Sequence, residues 1–221
     1  MNIKKIAPFV LSMALLTGCT TAEEPTVPNE TEKIVIETPT DETQDLKESS
    51  FYNFPSGISE QIAEVDKYPA LEELIISHYD IPEDFYDTTR YYYNYVDFNN
   101  DGTDEIFVVA IGMYTSGSGG SSAMIVSKEN DTLTVDQSFT LINTPVIISD
   151  SEISDTKDII VMKSGGGFVS AYVKLTATDG RYNTVNDGEV IDSLDVVTGT
   201  AIISNDIVTD IENGTALTLG K

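Results

Sequence analysis

A chain of 221 residues with 37 Asp and Glu against 12 Lys and Arg carries a formal charge of −25. A surface of that sign repels nucleic-acid phosphates and anionic headgroups and attracts cations, so nucleic acid is excluded as a partner. One Cys, one His and no Trp also remove disulfides, multi-histidine metal centres and most hydrolase chemistry that needs a histidine base.

The chain opens with Lys4 and Lys5, an eleven-residue apolar run from Ile6 to Leu16, and then Leu16-Thr17-Gly18-Cys19. A positive start, a short apolar stretch and small residues before a cleavage point are the pattern of an export signal. The run falls well short of the roughly twenty residues that span a bilayer. This segment resembles the lipobox of bacterial lipoproteins, in which an aliphatic residue, a small residue and Gly or Ala precede Cys. The resemblance implies a signal peptide over residues 1–18, cleavage after Gly18 and a diacylglyceryl thioether on Cys19, often with acylation of the new amino terminus. It places the chain on the extracytoplasmic face of the cell membrane. Acyl chains at about 0.8 kcal/mol per buried methylene make a two-chain anchor close to permanent. A remainder without cysteine in an exported protein suits a Gram-positive bacterium.

Beyond Cys19, residues 20–50 hold seven Thr, three Pro, nine acidic residues and no aromatics. Such a composition buries too little apolar surface to offset chain entropy, so residues 19–50 are expected to form a disordered tether. As a flexible coil it would reach roughly 30 Å. Residues 51–221 then make one globular domain of ordinary size.

Within that domain Ile58, Ile62 and Val65 recur at helical spacing, with Ser56 as a cap, and predict a first helix. A second begins at Pro69, with Leu71, Leu74, Ile75 and His78 on one face. Pro82 permits a further short turn through Phe85. From Thr89 onward β-branched and aromatic runs predict strands over 91–96, 106–111, 123–127, 132–139, 146–149, 159–163 and 169–177. Glu129-Asn130-Asp131 and Asp179-Gly180 read as turns, Thr200–Ser204 as a strand and Ile207–Ile211 as a short helix. Strands following one another without helices between them predict antiparallel pairing. The expected fold is therefore α+β, with N-terminal helices packed on a mainly antiparallel sheet.

The sharpest chemical pattern is Asp97-Phe98-Asn99-Asn100-Asp101-Gly102-Thr103-Asp104-Glu105. Oxygen-bearing side chains alternate at Asp97, Asn99 and Asp101, Glu105 stands ninth, and Gly102 permits a sharp turn. Calcium takes six to eight hard oxygen ligands, and this spacing lets one short loop wrap it. Val108 stands at the twelfth position, where an EF-hand carries an acid. The segment instead resembles the calcium loops of FG-GAP repeats, also found in VCBS-type propellers. That resemblance implies a structural calcium ion with Asp97, Asn99, Asp101 and Glu105 as side-chain ligands and Thr103 as a carbonyl ligand. It covers about fifteen residues and occurs once, so it implies no propeller. The alternative is a polar hairpin turn whose Asp and Asn side chains satisfy backbone groups.

Three further features are weaker. Tyr91, Tyr93 and Tyr95 share one strand face with Tyr92 on the other, and are expected to pack, although an exposed row would stack on sugars. Two small-residue loops, one through Ser116, Gly117, Ser118, Gly119 and Gly120 and one at Ser164, Gly165, Gly166 and Gly167, lack the spacing of phosphate or dinucleotide loops. They are candidate ligand loops only if they meet in space. His78 falls on a predicted apolar face, where a hydrogen-bonded core residue is expected. No catalytic constellation stands out. The expectation is a membrane-anchored binding or interaction domain, with an envelope protein, a wall glycan or a small solute as ligand. The alternatives are an envelope-acting hydrolase that uses carboxylates, or an inhibitor of the immunity type.

Overall fold

The computed structural model describes residues 52–150, 155–167 and 169–220; the signal segment, Cys19 and the tether lie outside them. The chain runs through β1 (Ile58–Glu60), α1 (Pro69–Tyr79), a 3₁₀ turn (Glu83–Thr88), β2 (Arg90–Val96), β3 (Glu105–Ile111) and β4 (Ser116–Gly117). Next come β5 (Gly120–Glu129), β6 (Thr132–Ile142), β7 (Val146–Ser149), β8 (Ile159–Lys163) and β9 (Ala171–Leu175). The last elements are β10 (Ala177–Thr178), β11 (Arg181–Tyr182), β12 (Glu189–Ile191), β13 (Gly199–Ile202), α2 (Ile207–Asn213) and β14 (Leu217–Thr218). Strand predominates and helix is the minority. Pairing is antiparallel apart from β1, which runs parallel to β13.

The strands form two large sheets rather than one. The first has the order β1-β13-β7-β8-β9-β12; the second has β14-β2-β3-β5-β4, with β6 paired to β5. The chain changes sheet between Ile142 and Val146. Facing residues of both sheets share one core: Tyr92, Phe107, Val109, Ala123, Ile125 and Phe139 pack with Val146, Ile148, Ile159, Val161, Val173 and Ile202. The alternate residues do not face water. Tyr91, Tyr93, Ile106, Val108, Met124 and Val126 pack under Leu71 and Ile75 of α1, and Ile147, Ile160 and Ala201 pack under Ile58 and Leu194. Runs such as Ile106-Phe107-Val108-Val109-Ala110 are continuous, not alternating, because both faces are covered.

Helix α1 forms as expected. Pro69 sits in its first turn, where an amide has no partner anyway, and Asp80 ends it in the left-handed region at φ 51. The expected helix at Ile58–Val65 does not form. Its amides are used elsewhere: Gln61 donates to the Ala201 carbonyl at 2.9 Å, Glu64 to the Tyr93 carbonyl at 2.9 Å, and Ala63 to Asn205 Oδ1 at 2.7 Å. This segment stitches β13 of one sheet to β2 of the other, and leaves Ile62 and Val65 exposed. The helical spacing is coincidental. His78 is also not in the core; it is exposed on α1, with Nε2 2.7 Å from Ser138 Oγ of β6.

Candidate functional site

The Asp97–Glu105 loop joins β2 to β3, the hairpin that fills the middle of the second sheet. Its side chains fold the backbone back on itself. Asp97 accepts from the amides of Asp101 at 3.1 Å and Gly102 at 2.9 Å. Asn99 Oδ1 accepts from the Asp101 amide at 3.0 Å, and Asp101 accepts from the Thr103 amide at 2.7 Å and from Asn99 Nδ2 at 2.9 Å. Glu105 Oε2 reaches back to the Phe98 amide at 3.0 Å and closes the loop. Asn100 and Gly102 both adopt positive φ, 55 and 85, which Asn and Gly tolerate better than other residues. The anchor beneath is apolar: Phe98 is buried beside Phe107 and Tyr182.

The loop's charge is unevenly placed. Hydrogen bonds from the Thr103 amide and the Asn99 side chain hold Asp101 below the usual carboxylate range. Glu105 is pushed up, first by burial and further by the charges of Asp101 and Asp97. A carboxyl raised above its ordinary value of 4.5 favours the fold below that pH and loses this contribution as pH rises through the folded value.

Among the described residues no three Asp, Glu or His side chains converge closely enough to ligate one metal ion; the loop's oxygens are turned to its own amides. The donor set nonetheless suits a hard cation. It supplies oxygen alone, and each carboxylate oxygen retains a lone pair beyond the hydrogen bond it accepts.

A cavity of about 230 Å³ lies beside the loop, lined in part by Asp97, Asp104, Tyr95, Asp150 and Lys157. The Lys157 amide donates to the Phe98 carbonyl at 2.8 Å, tying the loop to the chain that enters β8. Asp150 and Lys157 join this neighbourhood from the other sheet, and no local spacing in the chain announces it.

The two small-residue loops do meet. Asn143 Nδ2 donates to the carbonyls of Gly119 at 3.1 Å and Met162 at 2.9 Å. A Cβ on Gly165 would lie 1.9 Å from the Ser118 carbonyl oxygen. Ser116, Gly117, Ser118 and Gly165, Gly166, Gly167 are exposed, with Gly119, Gly120 and Ser164 half-buried. At Gly165 the contact is backbone against backbone, with Ser118 and Gly119. A cavity of about 270 Å³ lies to one side, lined by Ser121, Asn143, Ile111 and Val208 among others.

The tyrosine row packs, as expected. Tyr91 and Tyr93 are buried under α1, Tyr92 is buried on the other face, and only Tyr95 emerges, at 43% exposure. Tyr91 donates to Glu72 Oε1 at 2.8 Å, and Glu72 Oε2 accepts the Gly220 amide at 3.0 Å, so one buried carboxylate fastens the end of the chain to α1.

No family model, no curated protein and no solved structure matches this chain.

Proposed function

We propose that the chain is an extracytoplasmic lipoprotein: a β-rich binding domain tethered through Cys19 and stabilised by one calcium ion in the Asp97–Glu105 loop. The observation that supports the calcium reading is the loop's geometry. Six hydrogen bonds from within the loop pre-shape it around Asp97, Asn99, Asp101 and Glu105. Those four side chains and the Thr103 carbonyl would hold the ion. Calcium would supply positive charge there and offset the burial and the neighbouring charges of Asp101 and Asp97 that raise Glu105. The partner is an envelope protein or a wall glycan, met close to the membrane because the anchor and tether hold the domain there.

Calcium loops of extracellular modules bind with dissociation constants of about 10⁻⁴ to 10⁻³ M. At about 1 mM calcium the tighter limit adds about 1.4 kcal/mol, which for a domain of this size raises the melting temperature by about 3–6 °C. The anchor is tested by fractionation. The wild-type chain is expected in the membrane fraction and Cys19→Ala in the soluble one; equal membrane retention would refute the lipid anchor.

A further inference from the structure

The outer strands of the two sheets are short, with one exception. β1 and β12 end the first sheet with three residues each, and β4 and β14 of the second have two each. β6 has eleven, Thr132–Ile142, and pairs with β5 alone. Among the described residues no backbone hydrogen bond joins its other side to another strand. A long open edge is a template for a further strand, and proteins ordinarily blunt one with Lys, Pro or brevity. β6 carries one charge, Asp136, and neither Lys nor Pro. Asp136 is also where the register with β5 slips, between Val135 and Gln137, so Thr132–Val135 is the regular stretch of the edge.

This edge is walled on both faces. On one, Leu133 and Val135 pack half-buried against the cluster beneath α1, and Ser138 meets His78. On the other, the Gln137 side chain donates to the Tyr182 carbonyl and accepts its amide, both at 2.8 Å. A strand laid between these walls would be covered above and below, which favours a continuous apolar run over an alternating one. Between Cys19 and Tyr52 the sequence has one such run, Ile34-Val35-Ile36, and all of it is β-branched. The run is also within reach. Tyr52 shares a cavity with Ile142, Asn143 and Thr144, so the chain enters the domain at the C-terminal end of β6. Thr132 lies roughly 34 Å along β6 from there, and residues 38–51, which separate Glu37 from Tyr52, extend to about 50 Å.

We propose that Ile34-Val35-Ile36 adds to β6 as a further strand, beside Thr132–Val135. A segment of the same chain is present at an effective concentration in the millimolar range. A second copy would have to bring together two domains whose described residues each hold 27 acids against seven bases. Docking shortens the free tether to residues 20–33 and holds the domain nearer its anchor. That consequence rests on the lipoprotein reading; the docking itself does not.

The test is NMR-detected hydrogen exchange on the full chain carrying Cys19→Ala, with and without Val35→Pro, which removes the central amide of the run. In the parent, the amides of Thr132–Val135 that face away from β5 should exchange about tenfold more slowly than in Val35→Pro, a docking free energy of about 1.4 kcal/mol. Those of β3 should exchange alike in both, which shows that both chains are folded. A spin label on Glu37→Cys should broaden the amides of Thr132–Val135 and leave those of β12 sharp. Equal exchange in the two chains overturns the proposal, and if the shared protection grows with chain concentration the edge belongs to a second copy. Broadening at β12 rather than at β6 overturns it as well. Membrane fractionation reads the anchor separately, so failure of the docking and failure of the lipid anchor are told apart.

Discussion

Replacing Asn94 with leucine is expected to lower the stability of the domain by about 2–4 kcal/mol, a larger loss than most single substitutions cause. Asn94 is wholly buried on the core face of β2. Its Nδ2 donates to the Ile62 carbonyl at 2.9 Å, and its Oδ1 accepts the Ile203 amide at 3.0 Å. One amide group therefore joins the crossing segment, the second sheet and the chain leaving β13. Ile203 is itself fully buried and adopts φ 53, unfavourable for a β-branched residue. Leucine has similar volume and fills the space, but it strands the Ile203 amide in an apolar setting where water does not reach. Denaturant unfolding should show a lower midpoint with an unchanged slope. A loss under about 0.5 kcal/mol would mean that the polar link between the sheets contributes little.

The second large effect is expected at Gly165. Alanine there would place Cβ 1.9 Å from the Ser118 oxygen and 3.1 Å from Gly119 Cα, at φ +78. The left-handed backbone alone costs about 1 kcal/mol. Relief of the overlap requires the two loops to part, which also disturbs the Asn143 bridge between Gly119 and Met162. The expected total is about 2–3 kcal/mol, in the range of overpacked positions. Gly167 is the matched control: it has φ +86 and nothing within 4 Å of its Cβ position, so Gly167→Ala should show the backbone cost alone. Equal losses at the two positions would contradict the direct packing of the loops.

How much of this could be read from the chain depends on how local each feature is. Strands β7 and β8 match the expected ranges at both ends, since each is a short β-branched run bounded by polar or turn residues. The turns are equally local: Asn130, Asp131, Asp179 and Gly180 all take positive φ, as Asn, Asp and Gly permit. The division into two sheets is not local. It depends on which strands pair across more than forty residues, as β13 does with β7. The run from Ile58 to Val65 misleads for the same reason, because its amides bond to Ala201, Asn205 and Tyr93 rather than to one another. His78 lies at the correct spacing on α1 but at the edge of the buried stripe, where it meets Ser138.

The candidate sites divide in the same way. The acidic loop is legible because its oxygen donors are contiguous in the chain and its turn needs Gly102. The cavity that places Asp150 and Lys157 beside Asp97 is assembled from distant segments and has no signature in spacing.

Calorimetric titration of calcium into the full chain, at neutral pH and again near pH 5, tests the central claim most directly. One site is expected, with a dissociation constant of about 10⁻⁴ to 10⁻³ M at neutral pH. Asp101→Ala should abolish it. Affinity should fall on acidification sooner than for an ordinary carboxylate site, because burial and the charges of Asp101 and Asp97 raise Glu105 and its protonated form gives up the ion. No binding heat at neutral pH together with identical melting curves in calcium and in chelator, or a site that persists undiminished in Asp101→Ala, would contradict the calcium assignment and leave the Asp97–Glu105 loop as a turn closed by its own amides.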